Sequence, residues 1–122
     1  MAGRLTTHVL DAVQGRPAAG LAIELYRIVH IDDHETHERI CMVRTNPNGR
    51  TDDPLLAGDA LTVGIYEILF DVGSYFAASG HANAAIPFLG KVPVRFGVAD
   101  ADANYHVPII TTPWAYSTYR GS

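Results

Sequence analysis

The sequence predicts an all-β fold, an antiparallel β-sandwich carrying one short helix. Three observations predict it. Roughly seven or eight short runs rich in β-branched and aromatic residues recur, with turn signals about every 8–12 residues. The alternation of period two is cleanest over Lys91–Val98, where Val92, Val94, Phe96 and Val98 point one way and Pro93 and Arg95 the other. Only Asp71–Ala78 carries the marks of a helix, with Asp71 able to cap it and Gly80 able to stop it. The 122 residues are read as a single domain, 1–122, long enough to bury roughly two-thirds of the unfolded surface in one core. No repeat, low-complexity tract or linker interrupts them.

In chain order, Leu5–Val13 alternates weakly, with Leu5, Thr7 and Val9 on one face and Thr6, His8 and Leu10 on the other. Asp11–Pro17 reads as a turn and Leu21–Ile31 as a second strand. Asp32–Glu38 reads as a charged tip, from which Arg39–Thr45 returns as a third strand. Asn46-Pro47-Asn48-Gly49 is a turn, because Asn and Gly tolerate positive φ and Pro fixes its own. A strand is expected over Leu61–Phe70, then the helix, then a loop over His81–Gly90. After Lys91–Val98, Ala99–Asn104 turns the chain into a closing hairpin, Tyr105–Thr112 and Trp114–Tyr119. A terminus usually frays into small polar residues. This one holds aromatics and hydrogen-bonding groups instead, and it is expected to dock as part of a site.

Composition excludes several classes. A net charge of −4 and a pI near 5.8 leave no basic footprint for nucleic acid. Nearly half the residues are hydrophobic and 18% are charged, which argues against disorder. One cysteine, Cys41, precludes an internal disulfide and reads as a small buried residue. No N-terminal apolar stretch is long enough for a signal peptide or a membrane span. A soluble protein of a reducing cytoplasm is the expectation.

Six histidines are the candidates for chemistry. His30, His34 and His37 are close in sequence but lie among Asp32, Asp33, Glu35 and Glu38 without a zinc-finger spacing, and read as a solvated tip. His81 sits in a Gly/Ala/Asn loop and reads the same way. His8 and His106 differ: each lies inside an apolar or Thr-rich strand, where an imidazole is costly unless paired or used. If the terminal segments pair, His8, His106, Ser117 and Tyr119 share one face. Arg50 projects from the tight turn after Gly49. There is no serine elbow, carboxylate pair, phosphate loop or metal signature. The chemistry left is a cofactor-free, metal-free site using His as general base, with Arg or Tyr to hold an oxyanion.

At these residues the chain resembles the transthyretin-like family, and within it the 5-hydroxyisourate hydrolase branch. Leu5–Asp11 (LTTHVLD) and Gly15-Arg16-Pro17-Ala18 resemble the family's first strand and turn. Thr45–Arg50 resembles its T-N-x-x-G-R turn, and Tyr105-His106-Val107-Pro108 and Tyr119-Arg120-Gly121-Ser122 resemble its closing motifs. The YRGS end is the specific one, since the hormone-carrying transthyretins lack it. Two departures are Asn104, where the family often has His, and Trp114-Ala115, where an aromatic is commonly followed by Gly or Ser.

The resemblance implies a transthyretin-like antiparallel β-sandwich of two four-stranded sheets and a homotetramer, a dimer of dimers with sites in the channel between dimers. It implies that His8, Arg50, His106 and Tyr119 occupy the substrate site and that Ser122 closes it. The implied reaction is hydrolysis of 5-hydroxyisourate to 2-oxo-4-hydroxy-4-carboxy-5-ureidoimidazoline in urate degradation. His106, or His8 and His106 jointly, would activate water, while Arg50, Tyr119 and Ser122 hold the substrate. The alternative is a tetrameric carrier of a small aromatic ligand that catalyses nothing.

Overall fold

Residues 3–81 and 85–122 are described by the structure, a computed structural model. Among the described residues nine strands and one α-helix follow in order: β1 (Arg4–Asp11), β2 (Arg16–Pro17), β3 (Ala22–Ile31), β4 (His34–Arg44), β5 (Leu56–Ala57), β6 (Gly64–Asp71), α1 (Val72–Ala78), β7 (Lys91–Val98), β8 (Tyr105–Thr111) and β9 (Tyr116–Thr118). They form two sheets. One has the order β4-β3-β6-β7; the other runs β2-β1-β8-β9, with β5 also pairing β1 as a fifth strand. The predicted sandwich stands, with one short strand more than expected in the second sheet. All pairings are antiparallel but one: β1 and β8 run parallel, Leu5 opposite Tyr105 through Asp11 opposite Thr111.

Alternation decides what each sheet buries. On β1, Leu5, Thr7, Val9 and Asp11 are buried, and on β8 the same phase buries Tyr105, Val107, Ile109 and Thr111. Facing them across the core are Ile23 and Leu25 of β3, Tyr66, Ile68 and Phe70 of β6, and Val92, Val94 and Val98 of β7. The inward set expected on Lys91–Val98 is the one observed, with Phe96 partly buried. α1 begins on Asp71, whose carboxylate accepts the Ser74 N–H, and the chain leaves it through Gly80 at φ 81°, a left-handed position suited to glycine.

Two expectations change. The charged segment Asp32–Glu38 is not a tip: only Asp32 and Asp33 turn, both with positive φ (49° and 66°), and β4 resumes at His34. Asp is one of the few residues that adopts this conformation at low cost, so two of them suffice for a tight hairpin. His34 and His37 therefore lie on a strand. Asp11, expected to open a turn, is instead the fully buried end of β1. Its carboxylate accepts the Val13 and Gln14 backbone N–H groups at 2.9 and 3.0 Å, the Gln14 amide at 2.8 Å and the Tyr75 hydroxyl at 2.7 Å, which ties the turn and α1 to the sheet. The expected loop over 81–90 holds no regular element at His81 or at 85–90, and 82–84 lie outside the described residues.

Candidate functional site

The outward phase of β1 is Thr6, His8 and Leu10, and that of β8 is His106, Pro108 and Ile110. The parallel register sets Thr6 opposite His106 and His8 opposite Pro108. Both imidazoles thus stand on one face as diagonal neighbours, about 7–8 Å apart between Cα atoms. The Thr6 hydroxyl lies 2.9 Å from His106 Nδ1.

Arg50 reaches this face because the turn before it is docked on β1. The Val9 N–H donates to the Gly49 carbonyl at 2.8 Å. Gly49 has φ 72°, and a β-carbon there would collide with the Val9 carbonyl and press on the His8 ring. Asn46 organises the rest: its side-chain oxygen accepts from the N–H groups of Asn48 (2.9 Å) and Arg50 (3.2 Å), and its own N–H donates to the Arg50 carbonyl at 2.7 Å. Among the described residues no carboxylate pairs with Arg50.

Electrostatics ties the three side chains together. His8 is held below its ordinary 6.5, first by burial and then by the Arg50 cation, partly offset by a hydrogen bond to the Asn48 backbone. His106 is also lowered, by burial, then by Arg50, then by His8. Both rings are therefore neutral at neutral pH. A neutral imidazole beside a fixed cation can take a proton, and the cation can hold a developing oxyanion.

The closing segment reaches the same face through a gap in the ladder. His106 and Gly121 form a bridge, Gly121 N–H to His106 carbonyl at 2.7 Å. Two residues along β8 the next such pair would be Pro108 with Tyr119, but proline has no N–H to give. Pairing lapses at residues 119–120, and Thr118 Oγ1 donates to the Pro108 carbonyl at 2.7 Å instead. Released from the ladder, Arg120 lies over the Tyr105 ring at 4.3 Å and donates to the Asn104 carbonyl at 3.2 Å. The Asn104 side chain in turn accepts the Arg4 N–H at 3.2 Å, so this departure from the family pattern fastens the start of β1 to the closing segment. A β-carbon on Gly121 would lie 2.5 Å from His106 Cδ2. The glycine is there because the ring covers it.

His8, Arg50 and His106 are thus brought together, with Gly121 against the last. Tyr119 is 58% exposed and borders a groove of about 270 Å³ between Val94–Gly97 and Tyr105. Ser122 is exposed, one residue past the His106–Gly121 bridge. Ser117 lies opposite Ile110, in the outward phase, as expected. Thr6, Asn46, Gly49 and Gly121 were read from sequence as strand, turn and motif residues, not as site residues. The signal for Thr6 was its place two residues before His8 on one strand face; what the others do for the histidines became visible only through contacts. A separate cleft of about 620 Å³, lined by Gln14, Arg16, Arg44, Tyr75 and Ser79, shares no residue with the histidine face.

The other histidine cluster lies on the opposite sheet. His37 Nε2 is 2.7 Å and His30 Nε2 3.4 Å from Glu35, and Arg95 forks onto Glu35 at 2.7 and 2.8 Å. Arg95, then His37, pulls the Glu35 carboxyl down to about 2. This is an exposed charge network that laces β4 to β7. Among the described residues no three His, Cys, Asp or Glu side chains gather where they could hold a metal. Cys41 is free and half-buried, and burial pushes its thiol up.

The sequence model of the HIUase/Transthyretin family matches residues 5–121. A 5-hydroxyisourate hydrolase of Ralstonia nicotianae is 53% identical over 98% of this chain and 99% of its own length. Among solved structures, (S)-allantoin synthase superposes with a TM-score of 0.88 at 41% identity over 99% of this chain. This chain spans only 44% of that synthase. The Klebsiella pneumoniae 5-hydroxyisourate hydrolase superposes with a TM-score of 0.78 at 28% identity, over 98% of this chain and 99% of its own.

Proposed function

Because the chain belongs to the HIUase/Transthyretin family, we propose that it hydrolyses 5-hydroxyisourate, the compound for which its full-length relatives are named, in purine degradation. The observation that carries this reading is the pair of outward imidazoles set on one sheet face by the β1–β8 register, with the turn that bears Arg50 docked against β1; burial and the Arg50 cation lower both rings. A water gives one proton to an imidazole while its oxygen bonds to a ring amide carbonyl carbon. Arg50 stabilises the oxyanion that forms. The C–N bond then breaks, the imidazolium returns its proton to the leaving nitrogen, and the new carboxyl group ionises. A positioned base and a positioned donor each contribute about 10²–10⁴-fold. His106 is assigned as the base, with His8 helping to hold the water. Tyr119 and Ser122, beside the Gly121 bridge, orient the ring.

The histidine face is a sheet surface, and neither cleft described above is lined by His8, Arg50 or His106. A second copy laid over it would exclude water, which favours the homotetramer with sites between dimers; Ile110, on this face and 38% exposed, is apolar enough to meet a partner. No helix among the described residues is long and apolar enough to cross a membrane, and the cytoplasm is the proposed location.

The test follows the ultraviolet decay of freshly generated 5-hydroxyisourate with and without the protein, in the presence of chelator. His106→Ala should lower kcat far more than it raises KM. A rise in KM at unchanged kcat would remove His106 as base. No acceleration by the intact protein would leave the carrier reading.

A further inference from the structure

The Thr6–His106 contact determines more than packing. The two residues are register partners on adjacent parallel strands, so the backbone itself sets the distance of 2.9 Å between Oγ1 and Nδ1. Threonine is stiff at χ1, which keeps the hydroxyl in place. On its other edge the ring lies against Gly121, with Cδ2 over the glycine. Two edges are fixed, and Nε2 is the nitrogen left for chemistry.

A hydroxyl can donate or accept, so the contact is compatible with either tautomer. The charged and titratable neighbours that bear on His106 are Arg50 and His8, and His8 is neutral. With the Arg50 cation acting on the ring, a lone pair is favoured over an N–H on the nitrogen that Thr6 does not hold. We infer that Thr6 is a positioning residue: its hydroxyl accepts the Nδ1–H of His106, leaving the Nε2 lone pair to take a proton from water. In the opposite tautomer the outer nitrogen carries a hydrogen and cannot serve as a base. The lowered proton affinity of His106 keeps the ring in the neutral form in which this choice matters. The inference rests on the hydrolase reading for its catalytic consequence, but the tautomer is a property of the free protein.

The test uses Thr6→Val, which keeps shape and loses the hydroxyl, and Thr6→Ser, which keeps the hydroxyl. Long-range ¹H–¹⁵N correlation spectra of the ¹⁵N-labelled full chain at neutral pH report which ring nitrogen of His106 is protonated. The expected result is Nδ1–H in the parent and in Thr6→Ser, and a switched or averaged tautomer in Thr6→Val. In the decay assay Thr6→Val should lose about 10²-fold in kcat at little-changed KM, and Thr6→Ser should recover most of it. An Nε2–H parent overturns the inference. So does a Thr6→Val protein with the parent's tautomer and kcat, or a Thr6→Ser protein as impaired as Thr6→Val, which would mark a packing role. If the spectra come out as expected but no variant, nor the parent, acts on 5-hydroxyisourate, the functional reading fails and the control of the ring by Thr6 stands.

Discussion

Replacing Gly121 by alanine separates the placement of His106 from the stability of the fold. The new β-carbon would lie 2.5 Å from His106 Cδ2, 0.9 Å inside the 3.4 Å at which ordinary contact begins. Gly121 does not have a positive φ, so alanine fits the backbone and the ring must yield. Moving Cδ2 by about 0.9 Å at a lever arm of about 2 Å turns the ring by roughly 25–30°, an off-rotamer cost on the order of 1 kcal/mol. The same turn lengthens the Thr6 contact and forfeits about 1 kcal/mol more. Gly121→Ala should therefore lower unfolding free energy by about 2 kcal/mol at most, read by urea titration. A base displaced by about 1 Å costs about 10²-fold in rate. The decay assay should show that loss in kcat under conditions where the variant is fully folded. A variant with the parent's kcat would refute the reasoning, because the ring would then not need the space. A loss in stability well above 2 kcal/mol would point to a backbone effect instead.

Three further outcomes follow from the same geometry. Arg50→Lys keeps the charge but not the planar fork, and should lower kcat/KM by about 10²-fold; a loss under threefold in steady-state kinetics would mean that the guanidinium acts only as a point charge. Since His8 and His106 are both lowered from 6.5, kcat/KM should be flat at neutral pH and fall on the acid side with a midpoint below 6.5. Arg50→Gln removes the second-largest cause and should move that midpoint up, whereas Arg50→Lys should leave it in place. Asp11→Asn swaps an acceptor for a donor against Tyr75, and should cost about 2–4 kcal/mol in urea unfolding. Burial pushes Asp11 up, but its hydrogen bonds from Gln14, Tyr75 and Val13 outweigh that and hold it below 3.8. The parent accordingly keeps this contribution above pH 3.8 and loses it as pH falls through the lowered value. The variant's stability should lack that step.

Much of the sandwich was legible because alternation is a local signal. Val92, Val94 and Val98 could be oriented from their spacing alone, and so could Leu5, Thr7 and Val9. The helix was legible because Asp71 and Gly80 bracket it. What could not be read was whatever depends on a partner distant in sequence. The strand directions of β1 and β8 follow from the path of the whole chain, and nothing in either segment says that they run parallel. Asp11 looked like a turn residue because its hydrogen-bond partners include Tyr75, which only the fold brings near. The charged segment 32–38 looked like a loop because Glu35, His37 and Glu38 are polar, yet this half of β4 is exposed on both faces and accepts them as strand residues.

The site shows the same division. His8 and His106 could be suspected because an imidazole in a strand is costly, and resemblance named Arg50 with them. The residues that hold those three in place carry no such mark. Gly49 and Gly121 act through the absence of a β-carbon, Asn46 through backbone contacts, and Pro108 through an N–H it does not have. Pro108 is the most informative of these. By interrupting the β8–β9 ladder at Tyr119 it frees the closing segment to leave β9, and the Gly121 bridge to His106 brings that segment back. A continuous ladder would hold residues 119–120 as a rigid edge of the sheet; the interrupted one lets Arg120 lie on Tyr105 and Tyr119 border the adjoining groove while Gly121 returns to His106. The closing tetrapeptide meets His106 at Gly121 alone, because one strand residue cannot continue the ladder at Tyr119.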